Sequence, residues 1–454
     1  MSSKTPTPTH TLIRQRLRIL FLHTRFPFPL IGGDRIKAYH LLKHLAQYHD
    51  VTLLTFHHRG SAPPEKTQAL EELGINVISL PLNPIKAGIR CITHALNDLP
   101  IEIMFYNHPE YKQALQDLVK EKHFDVAMGF FMRAGEYLRE LPMKKVLIAE
   151  DCRVLYEHRS LVATKMSAVH QKFIRWWELR KLLAYEPKMM NDFDITTFVT
   201  MEDINAAKAM NADIQYRLLT NGVVTDHVAQ YVPQEERKDI IFTGKLDVWA
   251  NTMMVHKIAT EILPRIHKRL PHVKFHIVGG YPPKSILKLQ SEHILVHGNV
   301  PDVRKYMRNA AVFVHPHSGA SGIQNKVLEA MATGCSIVTT TTGIQGIPAW
   351  HDREVMIAHN YDEMADYACK LLEDVELRTR ISERAMKLVG EKFSWEIINE
   401  QLDGIIDELF PPKPFSSHGY GLSDDIEANK LTQSILNQDL PLSSQQQYKP
   451  PKKR

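Results

Sequence analysis

The sequence predicts an α/β fold with two doubly wound parallel sheets. Three observations carry this: short apolar runs at regular intervals, helical spacing between them, and a polar break near mid-chain after which the alternation restarts. The run Arg18–His23 (RILFLH) is apolar between its ends, as a strand covered on both faces should be. A loop with Pro27, Pro29, Gly32 and Gly33 follows. Ile36, Tyr39, Leu42 and Leu45 then recur at helical spacing, and a second strand is expected over 51–56. Strand, helix and parallel strand make a βαβ unit.

The alternation continues with strands expected over 76–80, 125–128, 145–149 and 195–200, and a long helical region over 161–190. The second series has strands at 239–243, 274–278, 294–297, 312–315 and Ser336–Thr339. The boundary falls near 224–236. The expected organisation is a flexible arm, 1–16; a first Rossmann-like domain, 17–225; a second, 236–394; a closing helix, 395–410; and a disordered tail, 411–454. The tail is rich in Ser, Gln and Pro, a composition that buries too little to fold. Ligands of such sheets bind at the carboxyl ends of the strands.

Composition narrows the function. The chain has 454 residues and a net charge of +5, but residues 19–410 hold 46 basic and 47 acidic side chains. A near-neutral body argues against nucleic acid as partner. Cys91, Cys152, Cys335 and Cys369 form no C-x-x-C pair, which reads as reduced thiols, a cytoplasmic location and no zinc site. The 24 histidines show no metal-ligand spacing. No apolar run reaches 18 residues, so no membrane-spanning helix is expected.

The most informative stretch is HPHSGASGIQNKVLEAMATGCSIVTTTTGIQG, from His315 to Gly346. It reads strand, small-residue loop (Ser318, Gly319, Ser321, Gly322), helix from about Ile323 to Thr333, and a C-terminal glycine, Gly334. A small-residue loop entering a helix leaves backbone N–H groups free at its positive end, a place for a diphosphate. Lys326 and Glu329 stand three residues apart and share a side. A carboxylate there can accept two hydrogen bonds from a ribose diol. An ordinary surface Glu–Lys pair fits the local pattern equally well.

This stretch resembles the donor-binding motif of the retaining GT-B glycosyltransferases of group 1, enzymes with two facing Rossmann-like domains. Their motif is a Glu, seven residues, then Glu-Ala-Met-Ala. Here the second half stands as Glu329-Ala330-Met331-Ala332, and Ser321 occupies the first Glu position. The resemblance implies that Glu329 holds the ribose and that position 321 faces the transferred sugar. Phe242-Thr243-Gly244-Lys245-Leu246 resembles the first strand–loop of the donor domain, with Lys245 on the diphosphate. Asn251 stands where the family carries a second basic residue. Lys326 is expected to supply that charge. Leu219-Thr220-Asn221-Gly222-Val223, Val278-Gly279-Gly280, His297-Gly298-Asn299-Val300 and Phe393-Ser394-Trp395 follow in the family's order. The likeness spans about 17–410 and is strongest to bacterial transferases of exopolysaccharide assembly.

The resemblance implies a GT-B fold with a crossover helix and metal-independent, retaining transfer of a sugar from a nucleotide-diphosphate donor. The implied acceptor is a glycan or lipid-linked saccharide. Gly33, Gly244, Lys245, Gly279, Asn299, Ser321, Gly322, Ile323, Lys326 and Glu329 are the expected donor-binding residues, and Lys245 and Asp151 the expected catalytic ones. Asp151 ends a strand at the cleft edge, where a carboxylate can orient or deprotonate an acceptor hydroxyl. No cofactor is expected beyond the donor itself. Residues 153–188 hold eight basic and three acidic side chains with Trp176 and Trp177. That suits peripheral contact at the inner face of a membrane, or a solvated helix with its tryptophans in the core. Two other functions stay open: a GT-B sugar-nucleotide epimerase, and a binding protein without catalysis.

Overall fold

Seven parallel strands form the first sheet. Their spatial order is Asn76–Leu82, Asp50–His58, Arg18–His23, Val126–Phe130, Lys144–Glu150, Ile195–Phe198 and Tyr216–Leu218. Numbered along the chain, that is 3-2-1-4-5-6-7. The second sheet has six parallel strands in the order Ile294–Gly298, Phe275–Gly279, Lys238–Thr243, Ala310–His315, Ser336–Thr339 and Met356–Ile357, again 3-2-1-4-5-6. Each order reverses once, between strands 1 and 4. That places a crevice after His23 and Phe130 in one sheet and after Thr243 and His315 in the other. The structure, a computed structural model, describes residues 12–30, 32–58, 64–93, 97–164, 168–225, 231–319 and 322–414. Ser321, most of the expected arm and nearly all of the expected tail lie outside them.

Central strands are covered on both faces, which is why their sequences read as unbroken apolar runs. Ile19 to Leu22 and Ile240 to Phe242 are fully buried. Most strands run one or two residues further than the apolar pattern indicates, as at His57–His58 and Phe130. Two short strands escape the pattern, Tyr216–Leu218 and Met356–Ile357. The expected helical region over 161–190 is two helices, Arg153–Ala163 and Val169–Met190.

The closing helix, Trp395–Leu409, returns to the first domain. Ser394 caps it by accepting from Ile397 N. Trp395, Ile398, Leu402, Ile405 and Ile406 then join Leu17, Ile19, Leu41 and Leu45 in one core cluster. The Trp395 indole stacks on His40 with centroids 3.9 Å apart. A Cβ on Gly222 would lie 2.5 Å from that indole, so this position needs glycine. Within the terminal segments, Leu12–Ile13 pairs antiparallel with Lys413–Pro414.

Candidate active site

The crevice of the second sheet opens after Thr243 and His315. A Cβ on Gly279 would stand 1.8 Å from the Gly244 carbonyl oxygen, so the two adjacent loops meet through glycine. Lys245 follows Gly244. Its ammonium is half-exposed, 3.2 Å from Asp247 and 5.5 Å from the Tyr281 ring centroid. Asn299 adopts φ 55° and accepts from Tyr281 N at 2.8 Å, so its side chain shapes the neighbouring loop.

The helix of the donor motif runs Asn325–Ala332, two residues later than the spacing indicates. Gly322 at φ 80° turns the chain, and Ile323 buries its side chain beneath Gly346 before the helix begins. The amides at the start of the helix are therefore those of Asn325 and Lys326, and Gly322 and Ile323 stand in the turn that leads into it. No side chain caps this helix, and Val327 N and Leu328 N both reach Gln324 O. Gly334 ends the helix at φ 68°, and Cys335 N returns to Ala330 O at 2.9 Å.

Lys326 and Asn251 meet, although 75 residues separate them. Lys326 Nζ donates to Asn251 Oδ1, and Asn251 Nδ2 donates to Lys245 O at 2.8 Å. One amide thus links the backbone of one expected diphosphate lysine to the ammonium of the other. Burial lowers the Lys326 ammonium to about 8, while Glu329 pulls it back up. Burial raises the Glu329 carboxyl to about 7 against the pull of Arg304 and Lys326. Its carboxylate accepts no hydrogen bond among the described residues. A desolvated carboxylate and ammonium on one helix face, both shifted toward neutrality, make this face a candidate functional site.

The crevice of the first sheet is a cavity of about 890 Å³. Asp34, Arg133, Glu150 and Asp151 line it from the first domain, Gly322 and Ile323 from the second. A Cβ on Gly322 would lie 4.0 Å from Asp151 Cβ, so the expected base stands beside the donor loop. Its charges are largely paired: Arg25 with Asp34 at 3.1 Å, Arg133 with Glu102, and Arg175 with Glu157 at 3.0 Å. Phe105, Tyr106 and Phe131 add ring surface. Paired charges and aromatic faces suit a neutral polyol better than a bare ion.

Two contacts tie the crevices together. A Cβ on Gly33 would fall 2.3 Å from Asn325 Nδ2, so Gly33 lies directly against the first residue of the donor helix. Asn221 Nδ2 donates to Asn325 Oδ1 at 2.8 Å. Gly33 therefore meets the second domain, and Asn325 is the contact that the spacing did not single out. Beneath, Lys37 Nζ lies 2.5 Å from Glu150 Oε1 and donates to Leu219 O at 2.7 Å. Burial pushes both groups toward their neutral forms, and each is held back by the other.

Residues 237–374 match the family described as glycosyl transferases group 1. A phosphatidyl-myo-inositol mannosyltransferase of Mycolicibacterium smegmatis is 28% identical over 174 residues, 37% of this chain. That match spans 44% of the relative's length. Sucrose-phosphate synthase from Thermosynechococcus elongatus superposes with a TM-score of 0.66 at 15% identity, covering 87% of this chain and 99% of the other. Anabaena HepE in complex with UDP and glucose superposes with a TM-score of 0.60 at 14% identity, covering 87% and 100%. The fold is GT-B. No helix among the described residues is long and apolar enough to cross a membrane.

Proposed function

We propose that this chain, a GT-B protein whose second domain is of the group 1 glycosyltransferase family, transfers a sugar with retention from a nucleoside-diphosphate donor to a glycan or lipid-linked saccharide. The observation that carries this reading is the Lys245–Asn251–Lys326 arrangement, whose Lys326 follows within four residues the Gly322–Ile323 turn that lines the cavity with Asp151. A diphosphate desolvated beside one lysine would be poorly compensated; here Asn251 joins the Lys245 backbone to the Lys326 ammonium, and the helix that carries Lys326 begins one residue before it. Anabaena HepE in complex with UDP supports a nucleotide donor.

In this reading Glu329 accepts from the ribose diol, and Lys245, Lys326 and the Asn325 and Lys326 amides face the diphosphate. The bond from the anomeric carbon to the phosphate oxygen breaks and one to the acceptor oxygen forms on the same face. Negative charge grows on the departing diphosphate, where one preorganised donor is typically worth about 3 kcal/mol. Asp151 orients the acceptor hydroxyl and takes its proton. No step uses a metal. The exposed Val169, Phe173 and Trp176, beside Lys172 and Arg175, support peripheral membrane contact, with lipid-linked acceptors delivered to the adjoining cavity.

The test incubates the chain with UDP- and GDP-sugars, with and without lipid-linked saccharides, in EDTA. The expected result is acceptor-dependent release of nucleotide and a product of the donor's anomeric configuration by NMR. Donor consumption without acceptor would instead indicate the epimerase, and donor binding without turnover the non-catalytic protein.

A further inference from the structure

Arg133 bridges the crevice of the first sheet. Its Nε donates to Thr24 Oγ1 at 2.6 Å, and its Nη1 donates to Glu102. Thr24 follows the strand Arg18–His23, whereas Arg133 stands just after the strand Val126–Phe130. The guanidinium carbon lies 4.0 Å from the centroid of the Phe131 ring and 5.1 Å from that of Tyr106. Two hydrogen bonds and two rings thus fix a side chain that is 5% exposed. Nη2 is the one nitrogen of the fork without a hydrogen-bond partner among the described residues.

The backbone is held to the same end. Phe131 has φ 67° and ψ 157°, a region kept almost entirely for glycine. Its N–H donates to Ile148 O at 2.7 Å, and its carbonyl accepts from Ala134 N and Gly135 N. This turn carries the Phe131 ring against the guanidinium. Such strain persists where the surroundings overdetermine it, and it collects at ligand sites.

The same cavity has a second unmet group. Asn221, 9% exposed, donates through Nδ2 to Asn325 and leaves Oδ1 without a partner. Arg133 and Asn221 both line the cavity. One offers spare N–H groups and the other a spare acceptor. A phosphate or a carboxylate only accepts, so it would leave Asn221 unmet. It would also meet Glu102, which already balances the Arg133 charge and lies 3.5 Å from Arg153. A hydroxyl both accepts and donates, and a sugar presents several.

We infer that Arg133 determines acceptor specificity: its Nη2 donates to one hydroxyl oxygen of a neutral saccharide, and Asn221 Oδ1 accepts from another hydroxyl. Calling that saccharide the acceptor rests on the glycosyltransferase reading; the sugar site itself does not. A buried donor built for an oxygen discriminates strongly, because an analogue without that oxygen leaves the donor unpaired.

The test titrates the full chain, with and without UDP, against the methyl glycosides of glucose, galactose and mannose and against methyl glucuronide, read by calorimetry. The neutral glycoside that binds best is then replaced by each of its monodeoxy forms. The expected result is that one deoxy position costs at least tenfold in affinity. In Arg133→Lys, which keeps a charge beside Glu102 but lacks the fork, that position should no longer matter, while the others discriminate as before. Asn221→Ala should erase discrimination at a different position. Melting temperatures report the fold, and Glu102→Gln/Arg133→Gln, which removes both charges together, repeats the measurement if the lysine variant does not fold. Three results overturn the inference: no neutral glycoside binds, methyl glucuronide binds better than methyl glucoside, or Arg133→Lys weakens every form alike, as loss of a merely structural arginine would. Failure of UDP to bind would count instead against the glycosyltransferase reading and leave the sugar titrations in force.

Discussion

Lys326 Nζ donates to Asn251 Oδ1, and so an ammonium from the Asn325–Ala332 helix reaches the residue of the Trp249–Lys257 helix that occupies the second basic position of the resembled motif. Lys326→Ala should lower turnover about a hundredfold, and so should Lys245→Ala, each removing a contact of about 3 kcal/mol at the transition state. The pair should be non-additive, because both act on one diphosphate. Asn251→Lys should partly rescue Lys326→Ala. Wild-type turnover in Lys326→Ala at both saturating and limiting donor would show that the second charge is not needed.

The same helix face should set the pH profile. Glu329, raised to about 7, loses its acceptor capacity as pH falls through that value. Lys326, lowered to about 8, loses its charge as pH rises through that value. The kcat/KM for donor should therefore be bell-shaped, with limbs near 7 and 8 belonging to the pair. Glu329→Gln should flatten the acid limb and weaken donor binding by about 1.5–3 kcal/mol. It should also shift the alkaline limb down, since the carboxylate that raises Lys326 is gone. Lys326→Arg should carry the alkaline limb out of range.

Gly33→Ala should slow the reaction without unfolding the chain. Its new Cβ would meet Asn325 Nδ2 at 2.3 Å, and moving that amide breaks its bond to Asn221. The loss is expected at about 1 kcal/mol, five- to tenfold in kcat/KM. Asn325→Ser in the same chain should relieve the clash and recover part of it. A double variant slower than Gly33→Ala alone would mean that Asn325 itself contributes more than the closure does.

Lys37→Met should be strongly destabilising, by about 3–5 kcal/mol, because it strands the Glu150 carboxylate. Lys37→Met/Glu150→Gln should regain a large part. Urea unfolding checks both, with the change read as a shift in midpoint at constant slope.

Much of the fold was legible because buried parallel strands advertise themselves as short apolar runs. Tyr216–Leu218 was not: it is a three-residue edge strand whose Arg217 pairs with Glu408 of the closing helix, so neither length nor alternation marks it. The start of the donor helix was misplaced because Ile323 fits the apolar stripe while its backbone does not yet belong to the helix. The Lys326–Glu329 relation came from spacing. The Gly33–Asn325 contact joins positions nearly three hundred residues apart, which no local pattern reaches. Lys37 had left a trace, since it shares the buried face of its helix with Leu41 and Leu45. A lysine in that stripe announces a buried partner without naming Glu150.

The returning helix, Trp395–Leu409, has a consequence for how the protein is made. Five of its side chains complete the core that begins at Leu17. A ribosome delivers them only after the whole second domain has emerged. Domains usually fold in the order of synthesis, but here residues 17–225 must wait with one apolar face uncovered while 236–394 can already close. The first domain to be synthesised is the last to be finished, and a gene cut between the two yields an N-terminal fragment without its final layer.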